Sequence, residues 1–133
     1  MKTVFADSFY FIALLQERDA AHEKAVRFSK AQRSVVVTTR WALAEVADAM
    51  SDPLWRGKAG GLLETIQTAA GFQVVGGSDA LFARGLQLYR RRPDKDWSLT
   101  DCISFVVMSE YGITDALTGD HHFEQAGFTA LLR

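Results

Sequence analysis

The sequence predicts an α/β fold built on a parallel sheet with helices on both faces. Short β-branched or apolar runs alternate with longer segments of helical periodicity, which is the pattern of repeated strand–helix units. At 133 residues, 48% hydrophobic and 23% charged, the chain has the composition of one globular domain spanning 1–133. A chain of this length buries roughly 65–70% of its unfolded surface, so it needs neither disulfides nor a structural metal for a core. Its one cysteine, Cys102, agrees with that reading.

Thr3 to Ala6 reads as a buried strand, and Phe9 to Leu15 as a helix, with the switch at Asp7. Asp19 can cap a second helix running through about Ala31, where Ala21, Ala25, Phe28 and Gln32 recur at helical spacing. Val35 to Val37 is a β-branched strand, and about Thr39 to Met50 a third helix stopped by Ser51-Asp52-Pro53. Leu54 to Ala70 is helical, its start blurred by Gly57, Gly60 and Gly61, each costing about 1 kcal/mol against alanine. Phe72 to Val75 is a strand and Ser78 to Arg91 a helix. Ser98-Leu99-Thr100-Asp101 opens a nearly all-apolar helix as a capping box. Thr114 to Leu117 is a strand, Gly119 a turn, His121 to Gln125 a helical turn, and Phe128 to Leu131 the last strand.

No apolar run approaches the roughly 18–20 residues that span a bilayer, and the first residues lack the pattern of a signal peptide, so a cytoplasmic location is expected. The formal net charge of -1 counts mildly against a general DNA-coating role and means that nucleic-acid binding would rely on a local basic patch.

Four acids stand out. Asp7 lies where the first strand meets a helix, the position of an N-cap or of a ligand at the sheet's edge. Glu45 sits among Trp41, Ala42, Leu43, Ala44, Val46 and Ala47, although Asp48 and Asp52 share nearly its face and make a solvated stripe an alternative. Asp101 is either the third helical residue of a capping box or a carboxylate held near the core. Asp120 ends Ala116-Leu117-Thr118-Gly119-Asp120, where a turn role competes. In a parallel sheet ligands bind beyond the carboxyl ends of the strands, and all four acids are expected at that edge. Carboxylates gathered there repel one another, and a divalent cation relieves the conflict. Oxygen ligands without a Cys/His pattern at zinc spacing favour Mg2+ or Mn2+, and such an ion suits phosphodiester hydrolysis.

Phe5-Ala6-Asp7-Ser8, Ala44-Glu45-Val46, Asp96-Trp97-Ser98-Leu99-Thr100-Asp101-Cys102 and Ala116-Leu117-Thr118-Gly119-Asp120-His121-His122-Phe123 together resemble the PIN-domain family, particularly its VapC-like toxin nucleases. The resemblance implies a three-layer α/β/α fold and a Mg2+- or Mn2+-dependent endoribonuclease. It also implies frequent pairing with an antitoxin, and exposed apolar surface for that inhibitor or for a homodimer. By motif position, Asp7, Glu45, Asp101 and Asp120 match the family's acids, with Asp7, Asp101 and Asp120 expected on the metal and Glu45 on the water. Ser8 and Thr118 match its supporting hydroxyls.

Arg90-Arg91-Arg92 with Lys95 form a candidate RNA-backbone patch, or else cations favourably placed at a helix C-terminus. Arg56 and Lys58 form a second patch. His121 and His122 lack a third histidine at useful spacing for a metal site, and Cys102 reads as a packing residue. Trp41, Trp55 and Trp97 serve packing in preference to base stacking. Two competing functions are a catalytically silent RNA- or protein-binding module and a phosphatase or phospho-acceptor domain. The second requires an acid two residues after the nucleophilic aspartate and a late lysine, yet position 9 is Phe and no lysine follows Lys95.

Overall fold

Each predicted strand is present in a computed structural model, which describes residues 2–31 and 33–133. Five strands, β1 (Thr3–Ala6), β2 (Val35–Thr39), β3 (Phe72–Val75), β4 (Asp115–Leu117) and β5 (Thr129–Ala130), form one sheet in the order β3-β2-β1-β4-β5. Every neighbouring pair is parallel. The connecting helices are α1 (Ser8–Leu15), α2 (His22–Ala31), α3 (Arg40–Ala49), α4 (Pro53–Thr68), α5 (Asp79–Arg91), α6 (Leu99–Glu110) and α7 (His121–Gln125). The expected last member of the second helix's periodic row, Gln32, lies outside the described residues.

Because side chains alternate along a strand, the sheet has two buried faces and serves two cores. Val4, Ala6, Val36 and Leu117 pack with α1 to α4 through Tyr10, Phe11, Ala25, Val46 and Ile66. Phe5, Val37 and Ala116 face the other way, onto Leu81 of α5, Cys102, Ile103 and Phe105 of α6, and Phe123 of α7. The result is the three-layer α/β/α sandwich, with α6 enclosed as its composition requires. No helix among the described residues is long and apolar enough to cross a membrane.

The order of strands fixes where a site can form. The chain leaves β1 toward β2 and β3, then crosses back to β4 and β5, so the direction of winding reverses between β1 and β4. At such a switch point the connections diverge and open a crevice at the strands' carboxyl ends. Asp7 follows β1 there, and Thr118 and Asp120 follow β4.

Several boundaries differ by a residue or two from expectation, helix α2 starting at His22 where an Asp19 cap was expected, and two of the differences have a clear cause. β2 continues past Val37 to Thr39, because Thr38 is fully buried and its hydroxyl donates to the carbonyl of Ala6 at 2.8 Å, a bond that compensates burial of a polar atom. Helix α4 begins at Pro53, whose missing N–H costs nothing at the first helical position, and Asp52 caps it through Leu54 N at 2.8 Å.

Helices α5 and α6 approach closely at Gly85, where a Cβ would lie 2.3 Å from Ile103 Cγ1 and 3.3 Å from its Cα. The backbone of α6 cannot yield as a side chain can. Gly85→Ala is therefore expected to destabilise the protein by about 1–3 kcal/mol, against the roughly 1 kcal/mol that alanine contributes in an unconstrained helix. Chemical denaturation checks this; a raised midpoint would mean that the two helices slide apart at no cost.

Candidate active site

Asp7 occupies the N-cap position of α1, but its side chain accepts no capping bond from that helix. Its carboxylate instead receives a 2.9 Å hydrogen bond from Thr118 Oγ1, across the switch point. The Thr118 hydroxyl also accepts from Asp120 N at 3.0 Å, so one buried threonine ties the two strand exits together. Gly119 lies between these residues under the ring of Phe9, and a Cβ there would stand 2.5 Å from Phe9 Cζ. A glycine thus allows α1 and the loop after β4 to close on each other.

Glu45 comes from the second turn of α3 and is half-buried, whereas its neighbour Asp48 is exposed. The Ser8 hydroxyl donates to Glu45 Oε1 at 2.5 Å, so Glu45 turns toward α1 and away from a solvated stripe. Asp101 is buried in the first turn of α6 and forms the capping box: Ser98 N donates to its Oδ2 at 3.1 Å, and its own N–H donates to Ser98 Oγ at 2.9 Å. Asp120 caps α7 through His122 N at 2.9 Å. Asp101 and Asp120 therefore carry structural duties as well, while Asp7 and Glu45 serve no helix terminus.

The carboxylates sense one another. Burial pushes Asp7 up from 3.8 to about 7; the Thr118 bond opposes this, and the charges of Asp101 and Glu45 reinforce it. Glu45 is raised by burial against the Ser8 bond, with Asp101, Asp120 and Asp48 adding to the effect. Burial also raises Asp101, partly relieved by Ser98 N–H and by His122, with Asp120 acting against it. All four predicted acids thus share one electrostatic neighbourhood at the carboxyl edge of the sheet. Next to them, burial and the Asp101 charge push the Cys102 thiol up to about 11, the reverse of what a nucleophile needs.

His122 belongs to this neighbourhood in a way its sequence position did not reveal. Its Nδ1 lies 3.1 Å from Asp101 Oδ2 and 3.4 Å from Asp120 Oδ1, and its Nε2 stands 3.0 Å from Asp96 Oδ1. Burial works against a charged ring, yet Asp120, Asp101 and Asp96 outweigh it and hold the imidazole above its ordinary value. Asp120, His121 and His122 also place one potential ligand atom each within 4.8 Å of the others. The adjacency of two histidines to Asp120 was the available signal. That His122 reaches Asp101 depends on α7 docking beside α6, where the Phe105 and Phe123 rings meet at 4.9 Å and Trp97, just before α6, donates from Nε1 to Gln125 Oε1 at 2.9 Å.

The tryptophans pack, as expected: Trp97 is buried against Phe105, and Trp41 and Trp55 lie half-buried on the two cores. The basic run divides. Arg92 is held by both oxygens of Asp94 at 3.0 Å and lies over the Trp97 ring, while Arg90, Arg91 and Lys95 remain on the surface of α5 and the following loop.

Hard oxygen donors of like charge, two of them without another structural duty, suit a divalent cation of the magnesium or manganese type. The chain is similar to the 23S rRNA-specific endonuclease VapC20 of Mycobacterium tuberculosis, with 26% identity over 125 residues that cover 94% of this chain and 95% of that protein. The crystal structure of the same protein, described as a sarcin-ricin loop cleaving toxin, matches with a TM-score of 0.86 at 25% identity over 95% of this chain and 96% of that one. FitAcB from Neisseria gonorrhoeae shares the fold, with a TM-score of 0.65 at 14% identity over 96% of this chain and 95% of that one. The family model for the PIN domain matches residues 4–129, and the chain belongs to the PIN-domain family.

Proposed function

We propose that the chain is a metal-dependent endoribonuclease that hydrolyses RNA phosphodiester bonds, acting in the cytoplasm as the toxin of a toxin–antitoxin pair. The observation that carries this reading is Asp7: a buried carboxylate at a helix start whose side chain makes no cap, raised by its burial and further by its acidic neighbours, and poised to share a cation with them. A silent binding module would gain nothing from such a group, whose burial as an anion is costly. The rRNA-cleaving activity in the name of the VapC20 relative supports the choice of RNA as substrate.

In this proposal Asp7, Asp101 and Asp120 hold Mg2+ or Mn2+. When bound, the ion neutralises the acids and supplies Lewis-acid stabilisation of charge on the phosphoryl oxygen. Glu45, fixed by Ser8, orients the attacking water for in-line displacement. Thr118 sets the spacing of Asp7 and Asp120, and the Asp101 box holds its carboxylate still. An antitoxin and a second copy of the chain complete the proposed partners. Apolar side chains left in solvent support them, notably Leu54 at 78% exposure and the row Phe82 and Leu86 on α5.

The decisive experiment incubates total RNA and intact ribosomes with the purified chain, with chelator, and with Mg2+ or Mn2+ restored. Discrete cuts that vanish with chelator, return with either ion and fall by roughly 10²–10³ in Glu45→Gln are expected. Cleavage at the wild-type rate by folded Asp7→Ala in the presence of metal would refute the assignment.

A further inference from the structure

We propose that the groove between the end of α5 and the start of α6 is the track for single-stranded RNA leading into the acid cluster, an inference that rests on the ribonuclease reading above. A cluster of carboxylates repels the polymer it is meant to cut, and the chain as a whole carries a net charge of -1. Productive binding then needs a local cationic surface beside the acids, because phosphate contacts set the register and orientation of a bound strand.

The groove encloses about 770 Å3, and its walls include Tyr89, Arg90, Arg92, Lys95, Asp96 and Ser98. Three cations thus face a single carboxylate. It adjoins the acids directly: the N–H of Ser98 donates to Asp101 Oδ2, and Asp96 lies 3.0 Å from His122 Nε2. A strand lying here therefore ends against the carboxyl edge of the sheet.

The cations are not equivalent. Arg92 is a fixed wall, clamped by Asp94 and stacked over Trp97 at 5.1 Å. Arg90 makes no ion pair with a described residue, and Lys95 reaches Asp94 only at 4.0 Å, so both are free to meet phosphates. Arg91 turns into the adjoining groove, alongside Arg84 and Glu110, and is not part of the track. Tyr89, 49% exposed, offers a ring on which an unpaired base can stack. Free cations and an aromatic ring lining one groove suit the backbone and bases of a single strand.

The test uses Asp7→Asn as background, so that binding is read without cleavage, and a fluorescein-labelled single-stranded RNA of roughly twelve nucleotides as probe. Fluorescence anisotropy is measured across a salt series. Removing both free cations by Arg90→Gln with Lys95→Gln is expected to weaken binding about tenfold at low salt and to lower the slope of log K against log salt by about 1.4, two single-strand phosphate contacts' worth. Tyr89→Ala is expected to weaken binding about tenfold with the slope unchanged, and it serves as the second variant should the double substitution fold poorly. A pair on α2, Arg27→Gln with Lys30→Gln, removes the same charge elsewhere and should change binding less than about twofold. Equal losses from the two pairs, or none from the groove variants, would overturn the track while leaving cleavage by the native chain standing. Groove-dependent binding by a chain that never cuts RNA would instead defeat the nuclease reading alone.

Discussion

Asp7→Asn is expected to abolish RNA cleavage and, without metal, to make the protein more stable. Both effects follow from one buried charge. In the folded chain Asp7 is raised from 3.8 to about 7, so between those values the native state binds a proton that the unfolded chain releases. The sign is therefore destabilising with rising pH: stability falls from about pH 4 to pH 7, and the full penalty is present above pH 7. The displacement corresponds to roughly 4 kcal/mol. Asparagine keeps an oxygen to accept from Thr118 Oγ1, and its amide faces a region of negative potential from Asp101 and Glu45. Exchanging a charged acceptor for a neutral one there gives back something like 1–2 kcal/mol. A net gain of about 2 kcal/mol at pH 8 in chelator remains, or a rise of roughly 6 °C in melting temperature, disappearing near pH 4. Cleavage should fall by about 10³ or more, since a proposed ligand of the ion that would stabilise charge on the phosphoryl group is lost. A variant that melts lower than the native chain at pH 8 in chelator would show that Asp7 is a structural acid after all.

The element pattern was readable because burial is written into residue type: Val35 to Val37 and the Cys102 to Met108 segment have few other places to go. Errors came where one residue serves two elements. Pro53 was read as the end of α3, and it is also the first residue of α4, because the feature that disfavours helix before a proline suits the first helical turn after it. On sequence, β2 ends at Val37 and the next helix starts at about Thr39; a cross-strand bond to Ala6 keeps Thr38 in the sheet, and Thr39 ends the strand while capping α3 through Ala42 N. At the site, the acids could be picked out by type and by their place relative to strands. Their division of labour could not, because it is a matter of which hydrogen bond each carboxylate accepts. Asp101 and Asp120 cap helices, as sequence spacing allowed, whereas Asp7 at an equally good capping position turns to a threonine 111 residues away. The approach of Gly119 to Phe9 and of His122 to Asp101 likewise depends on tertiary packing, for which no local pattern exists.

The native chain is expected to melt about 8 °C higher with Mg2+ or Mn2+ at a hundred times its dissociation constant than in chelator, since an ion that binds only the folded state adds about 2.7 kcal/mol at that excess. Ligand carboxylates must shed their protons to bind, so the ion competes with the proton on Asp7 and the shift should be larger at pH 8 than at pH 6. Which residues respond identifies the site. Binding by Asp7 and Asp101 predicts that Asp7→Asn loses most of the shift, while Glu45→Gln, which removes only the group proposed to orient water, keeps most of it. The rival location is the nearby set of Asp120, His121 and His122, whose ligand atoms lie close enough to share an ion. Imidazoles there would favour a softer ion such as Zn2+ over Mg2+. His121→Ala, an exposed substitution, should then leave the Mg2+ shift unchanged. A shift that survives Asp7→Asn and is lost with His121→Ala would move the cation from the switch point between β1 and β4 to the start of α7, and Asp7 would lose its role as ligand.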